Sequence, residues 1–166
     1  MPHKDHDTLI AAAVIVLMKR PDARFLIAGK GPEEHALFES IKRMGLLGKV
    51  ILAGHRADSA AMLKALDVYV QSSWGEGMGS VLIEAAACGV PVCATRAGGI
   101  PEVVEDGGTG LLVEPRNPEA LAGIILRMLG DETLRAGFAA EARKGLGRFG
   151  LTKMAVEMER IYDALD

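Results

Sequence analysis

The chain has 166 residues, which is enough for one domain with a sizeable hydrophobic core. Hydrophobic residues make up 49% of it and charged residues 25%, a composition that excludes a disordered polypeptide. The net charge is −3 and aromatic residues are only 4%, so the chain lacks the basic surface and stacking side chains of nucleic-acid-binding proteins, and nucleic acid is not expected as a partner.

The cysteines and the apolar runs of the sequence indicate the cellular compartment in which the protein is expected. The two cysteines, Cys88 and Cys93, lie in apolar segments, as is typical of packed thiols in a reducing cytosol rather than of a disulfide framework or a zinc site. The longest apolar run, Leu9–Met18, is ten residues long, well short of the roughly 20 that span a bilayer. Asp5 and Asp7 precede it, where a signal peptide would carry basic residues. We therefore expect a cytoplasmic protein.

Short, nearly continuously apolar runs alternate with longer helical patterns along the chain. They predict the strands Arg24–Ala28, Val50–Ala53, Asp67–Gln71, Pro91–Thr95 and Gly110–Val113. Continuously apolar strands separated by helices are typical of a parallel sheet that is covered on both faces. The predicted fold class is therefore α/β, a doubly wound, Rossmann-like parallel sheet with a helical C-terminal tail.

Capping residues, prolines and glycines mark the predicted helices. Asp7 or Thr8 is expected to cap a first helix that runs to about Arg20 and is stopped by Pro21. The helices that follow are expected from Pro32, over Ser59–Ala65 and Ser80–Cys88, from Pro101, from Pro118 to Leu129, and as two helices from Glu132 to Leu165 that are broken near Gly147 and Gly150.

The most informative segment reads SSWGEGMGSVLIEA at residues 72–85 and opens a helix after the third predicted strand. Sheets of this kind bind ligands beyond the carboxyl ends of their strands, and backbone amides next to a helix N-terminus form a cradle for a diphosphate. Glu76 and Glu84 would repel phosphate, so we expect them to face neutral hydroxyl groups rather than to be solvated surface charges. A ligand that carries both a diphosphate and sugar hydroxyls meets these requirements.

Glu76 and Glu84, with AAACGVPV at residues 85–92 and GGIPE at residues 98–102, resemble the C-terminal domain of retaining GT-B glycosyltransferases of group 1 (family 4). The similarity covers essentially the whole chain, from His3 to Asp166. It implies the donor-binding half of an enzyme that moves a hexosyl group from a nucleotide diphosphate sugar (UDP-, GDP- or ADP-sugar) to a glycan, lipid or other acceptor. It also implies that Glu76 contacts the transferred sugar and Glu84 the ribose hydroxyls.

The resemblance also implies roles for two lysines and for the backbone. Lys4 is similar to the lysine that pairs with the diphosphate, so Glu76 and Lys4 are the expected catalytic residues. The expected donor-binding residues are Gly77, Met78, Gly79, Ser80, Glu84 and Lys64, the last near the base. Met78 and Ser80 depart from the family's usual residues, but they contribute mainly their backbone. No metal and no other cofactor is expected, because cationic side chains and the helix N-terminus would stabilise the leaving diphosphate.

The resemblance further implies that the chain, as one domain over residues 1–166, lacks its first strand and the N-terminal acceptor domain. That domain is then an expected partner, a membrane surface could be reached through it, and the isolated chain is expected to be inactive in transfer. The alternatives are a stand-alone nucleotide-sugar-binding or partner module and a GT-B sugar-nucleotide epimerase-like domain. The GGIPE segment beside Glu76 and Glu84 favours transfer over epimerisation.

A sheet of order 3-2-1-4-5-6 places the absent first strand between Arg24–Ala28 and Asp67–Gln71. An empty position there leaves backbone groups unpaired, so the two neighbours could pair directly, residues near Met1–Lys4 could fill part of the space, or a second copy could donate a segment. Direct pairing or a dimer contact is favoured. Direct pairing would also move Lys4 away from the loop at Gly77.

Overall fold

The computed structural model describes residues 2–150 and positions 153, 155, 156, 158 and 160. The strands in this part of the chain are β1 (Phe25–Ala28), β2 (Val50–Gly54), β3 (Tyr69–Gln71), β4 (Val92–Thr95) and β5 (Gly110–Val113). The helices are α1 (His6–Lys19), α2 (Glu34–Arg43), α3 (Ser59–Lys64), α4 (Ser80–Cys88), α5 (Ile100–Val103), α6 (Pro118–Gly130) and α7 (Glu132–Lys144). Single 3-10 turns lie at Pro2–Lys4 and Gly145–Phe149.

The predicted strands are present, as are the predicted helices up to residue 144; the bounds of α4 and β5 agree with the prediction, and the other elements are shifted at one or both ends. The expected cap of α1 is wrong: Asp5 caps it, because the Asp5 carboxylate accepts from the backbone N–H of Thr8 at 3.3 Å and from its hydroxyl at 2.8 Å. The second helix begins at Glu34, two residues after Pro32. In the tail, α7 is followed by the 3-10 turn, and the described positions from 153 to 160 are helical; the rest of the predicted tail helix lies outside the described residues.

All described strand pairs are parallel, and they form two separate sheets of order β1-β2 and β3-β4-β5. Within each sheet the strands follow the expected order, and the position expected between β1 and β3, here called the strand gap, is unpaired among the described residues. The favoured direct pairing of these two strands is wrong. Phe25 of β1 and Val70 of β3 pack against the same apolar cluster of α1 and α6, which therefore supports both sheets.

Both faces of the larger sheet are covered, as expected for a doubly wound fold. Val92 and Ala94 of β4 pack into a cluster with side chains of α3, α4 and α5. Cys93 points to the opposite face and packs against α1, α6 and α7, where burial raises the pKa of its thiol. A third cluster joins α1 and α2 to β2. The carboxyl ends of β3, β4 and β5 thereby meet at one edge, from which the loops of the candidate site emerge.

Within the described residues, no helix has the length and apolar character needed to cross a membrane.

Candidate functional site

Residues 72–79, here called the glycine loop, connect β3 to α4. Gly79 precedes α4 with φ +71°, and no side chain caps the helix. The first N–H groups of a helix have no partner within it, so those of Ser80 and Val81 can face an anion, whereas that of Leu82 donates to the Gly79 carbonyl at 2.8 Å. A Cβ at Gly79 would lie 2.8 Å from Cδ1 of Leu82, which explains why the chain has glycine at this buried position.

A second pair of glycines, after β4, supports the glycine loop from the side. The N–H of Gly99 donates to the carbonyl oxygen of Gly77 at 2.9 Å, and a Cβ on Gly98 would overlap the carbonyl oxygen of Glu76. Gly98 and Gly99 form a tight turn after β4. This turn contacts the backbone of Glu76 and Gly77, and these contacts fix the position of the glycine loop relative to it.

Lys4 and Glu76 form an ion pair, with Nζ and Oε2 2.5 Å apart. The turn Pro2–Lys4 is held against the glycine loop because the N–H of Trp74 donates to the carbonyl of His3 at 2.9 Å and the hydroxyl of Ser72 donates to the carbonyl of Lys4 at 2.8 Å. The expectation that Lys4 would move away from the loop, which followed from direct strand pairing, is therefore wrong.

Glu76 accepts two further hydrogen bonds from uncharged side chains. The Gln71 amide donates at 2.7 Å and the Ser73 hydroxyl at 3.1 Å, both to Oε2. Burial acts to raise the pKa of Glu76, but Lys4, Ser73 and His3 outweigh it and hold the pKa below its ordinary value. Glu76 is therefore a carboxylate at neutral pH, able to accept hydrogen bonds from a ligand.

The Tyr69 hydroxyl donates to Oε1 of Gln71 at 3.0 Å. Burial, reinforced by the charges of Glu76 and Glu84, raises the pKa of Tyr69 and keeps its hydroxyl protonated.

The other predicted donor-binding residues lie on the glycine loop, on α4 and at the end of α3. Glu84 is exposed on α4, and its charge, like that of Glu76, helps to raise the pKa of Tyr69. Lys64 is exposed at the end of α3, which packs beside α4. Gly77, Met78 and Ser80 are exposed along the loop, and Gly79 is buried beneath it.

Sequence reasoning missed Gln71 and Ser73, which donate to the Glu76 carboxylate, and Tyr69, which donates to Gln71. One signal was available: Gln71 is the polar end of an otherwise apolar strand, and a buried amide requires hydrogen-bond partners. Reasoning also missed that Arg116 lies over the ring of Trp74, 5.2 Å from its centroid, at the rim of the loop. The Arg116 contact joins residues 42 positions apart, so local patterns could not reveal it.

The site is an open edge of the sheet. Two cavities lie elsewhere, one of about 520 Å³ beside α4, α5 and α7 and one of about 820 Å³ beside α2 and β2. Among the described residues, no group of three or more His, Cys, Asp or Glu side chains is placed to hold a metal ion.

A family profile described as Glycosyl transferases group 1 matches residues 1–145. The chain is 33% identical to N-acetyl-alpha-D-glucosaminyl L-malate synthase of Bacillus anthracis over 154 residues, which is 92% of this chain and 40% of that protein. It thus spans less than half the length of this curated relative.

Two solved structures are similar in fold. The crystal structure of Anabaena HepE in complex with UDP and glucose has a TM-score of 0.85 at 28% identity, covering 99% of this chain and 46% of that one. The crystal structure of the C-terminal domain of a glycosyl transferase group 1 family protein (LpcC) from Francisella tularensis has a TM-score of 0.78 at 32% identity, covering 87% of this chain and 78% of that one.

Proposed function

This chain belongs to the group 1 glycosyltransferases, and from that premise we propose that it is the donor-binding part of a retaining hexosyltransferase that uses a nucleotide diphosphate sugar. The observation that carries the proposal is the convergence of Glu76, Lys4 and the uncapped N-terminus of α4 on one loop at the carboxyl edge of the sheet. This group offers a carboxylate for sugar hydroxyls next to cationic and N–H groups for phosphate.

The proposed donor lies along the glycine loop. Its diphosphate contacts the N–H groups from Gly77 to Ser80, where the helix dipole favours negative charge, and the Lys4 ammonium. The transferred sugar contacts Glu76. The ribose hydroxyls donate to Glu84, and the base lies toward Lys64.

Lys4 and the loop amides would stabilise the negative charge that develops on the leaving diphosphate. Electrostatic stabilisation of this kind is usually the largest single contribution to an enzyme's rate enhancement. This chemistry uses groups of the chain itself, so we expect transfer without a metal.

The acceptor, in this proposal, is held by a second domain that these 166 residues do not include, and a further strand of that larger protein occupies the strand gap. The open edge of the sheet and the relatives of more than twice this length support the idea. Because transfer depends on donor and acceptor held in one orientation, we expect the 166-residue chain alone to transfer no sugar. The match to a transferase family favours transfer over the epimerase alternative.

Calorimetric titration with UDP, GDP and ADP tests the donor proposal. HepE was solved with UDP and glucose, and the titration identifies which of the three bases this chain binds. We expect one nucleotide to bind, and amide resonances of Gly77, Gly79 and Ser80 to shift on binding. Inorganic diphosphate serves as the control for charge alone. Binding of none of the three nucleotides, or shifts confined to another face, would contradict the proposal.

A further inference from the structure

The only glutamine of the chain, Gln71, ends strand β3 directly beneath the glycine loop. Its side chain is buried, with 5% of the residue exposed. A Cβ on Gly79 would lie 3.5 Å from its Nε2 atom, so the amide lies against the underside of the loop that leads into α4. We propose that Gln71, itself fixed by Tyr69, is a positioning residue that keeps the Glu76 carboxylate directed at the donor sugar; this inference rests on the proposed function.

The chemistry of the partners fixes the orientation of the Gln71 amide. A carboxylate can only accept hydrogen bonds, so the NH₂ end of Gln71 must face Glu76, 2.7 Å away. The carbonyl end then faces the Tyr69 hydroxyl, 3.0 Å away, which must donate. Rotating the amide by half a turn would bring two acceptor oxygens together at Glu76. Tyr69 therefore holds Gln71 in the orientation that serves Glu76.

Lys4 cannot take this role once the donor is bound. Its side chain is 37% exposed, whereas that of Glu76 is 13% exposed, so the lysine approaches from the solvent side. A diphosphate at the N-terminus of α4 would compete with Glu76 for the Lys4 ammonium, because it carries more negative charge. Gln71 and Ser73 are uncharged, so the diphosphate does not attract them as it attracts Lys4. They therefore keep their hydrogen bonds to Glu76 when Lys4 turns toward the diphosphate.

The three hydrogen bonds that side chains of described residues make to the Glu76 carboxylate all end on Oε2. Holding one oxygen from below directs the other toward the open side of the loop, where a sugar hydroxyl would donate. Gln71 thereby links the buried end of β3 to the face of Glu76 that recognises the sugar.

The first part of the test needs no ligand. The chain contains only two carboxamide side chains, Gln71 and Asn117, so their NH₂ resonances are readily assigned in a ¹⁵N spectrum. We expect the Gln71 NH₂ signals to shift as Glu76 is protonated during an acid titration, and this transition to vanish in Glu76→Ala. Asn117, which caps α6, is the internal control. Gln71 NH₂ signals whose chemical shifts do not change when Glu76 is protonated would overturn the proposal.

The second part compares the dissociation constants of UDP and UDP-glucose; GDP and GDP-mannose, or ADP and ADP-glucose, replace this pair if the titration shows that the chain binds that nucleotide. In Gln71→Met, which keeps the size but removes the donor, we expect the ratio of the UDP constant to the UDP-glucose constant to fall about tenfold, while UDP binding alone changes less than about twofold. Tyr69→Phe removes one hydroxyl, is the variant to use if Gln71→Met does not fold, and should lower the same ratio by a smaller factor.

Asn117→Ala should leave the ratio unchanged, since the Asn117 amide bonds to the backbone N–H of Ala120 in α6 and not to Glu76. An unchanged ratio in both Gln71→Met and Tyr69→Phe, or equal weakening of UDP and UDP-glucose, would overturn the positioning role while leaving the proposed function intact. If the unaltered chain binds no nucleotide at all, the proposed function itself fails and takes this role of Gln71 with it.

Discussion

Glu84 and Glu76 are both carboxylates near Tyr69, yet their surroundings differ. Glu84 is exposed on α4, whereas Glu76 is mostly buried and bound by Lys4, Gln71 and Ser73. We expect Glu84→Ala to weaken binding of the nucleotide identified by titration by about 1.5–3 kcal/mol, the usual contribution of a hydrogen bond to a charged group. Calorimetry measures this change directly. Glu39→Ala, at an exposed position of α2, is the matched control; equal affinities of Glu84→Ala and Glu39→Ala would refute the ribose contact.

The lowered pKa of Glu76 makes a prediction about acid stability. Because the folded pKa lies below the ordinary value of 4.5, the unfolded chain takes up the proton first on acidification. The stability that Glu76 contributes is therefore present above pH 4.5 and is lost as the pH falls through the lower folded value. Urea unfolding of the unaltered chain and of Glu76→Gln should give a free-energy difference that shrinks in this range. A difference that stays constant down to about pH 3 would contradict the assignment.

At the level of single residues, the motif predicted Glu76 and its setting, because the glycines around it follow each other in the chain. The approach of Lys4 was expected only by resemblance, since 72 residues separate the pair. Tyr69 and Gln71 escaped prediction because their alternation with apolar residues also fits an ordinary strand, and only the tertiary fold shows which face of β3 lies under the loop.

Among the elements, the contact between the turn after β4 and the glycine loop determines the geometry of the site. Gly98 has φ +53°, and a side chain there would collide with the Glu76 backbone, so Gly98→Ala must displace one of the two loops. We expect it to lower the thermal midpoint and to weaken nucleotide binding. Gly107→Ala is the matched control, because Gly107 has φ +75° but open space around it, so only the backbone strain of about 1–2 kcal/mol applies.

The two glycine variants separate strain from collision. If Gly98→Ala and Gly107→Ala lose the same stability and both retain nucleotide binding, the contact between the loops does not set the site.

The bounds of α4 were predicted from Ser80 to Cys88 because Gly79 and Gly89 stand at its ends, both in the left-handed region that glycine adopts easily. The starts of two strands differ from the prediction. Asp67 and Pro91 were expected in strands, but β3 begins at Tyr69 and β4 at Val92, since the Tyr69 N–H bonds to the Pro91 carbonyl where the ladder starts. Side-chain pattern alone does not show where a neighbouring strand begins.

At the scale of the whole molecule, the strand gap leaves β1 and β3 each paired on one side only among the described residues. The N–H groups of Phe25 and Gly29 bond to the β2 side and that of Tyr69 to the β4 side. Because N–H groups alternate in direction along a strand, those of Leu26, Ala28 and Val70 face the gap.

We expect amide hydrogen exchange to be faster at Leu26, Ala28 and Val70 than at Phe25, Gly29 and Tyr69, because amides without a bonded partner are poorly protected. Residue-resolved NMR exchange measures this difference. Equal protection at the two sets of positions would show that the gap is filled in solution. The sequence predicted the order of the strands but not this arrangement, because strand pairing depends on how α1 and α6 support both sheets.

Trp74 is the only tryptophan of the chain, and it lies in the glycine loop, 45% exposed and beside Arg116. The molecule therefore contains its own optical probe two residues from Glu76. Indole emission depends on the water and charge around the ring, so a ligand that settles on the loop should change the intensity without any added label. A second domain that closes over the loop would remove water from the ring and shift the emission to shorter wavelength. Stopped-flow fluorescence could then time ligand arrival and domain closure as separate events.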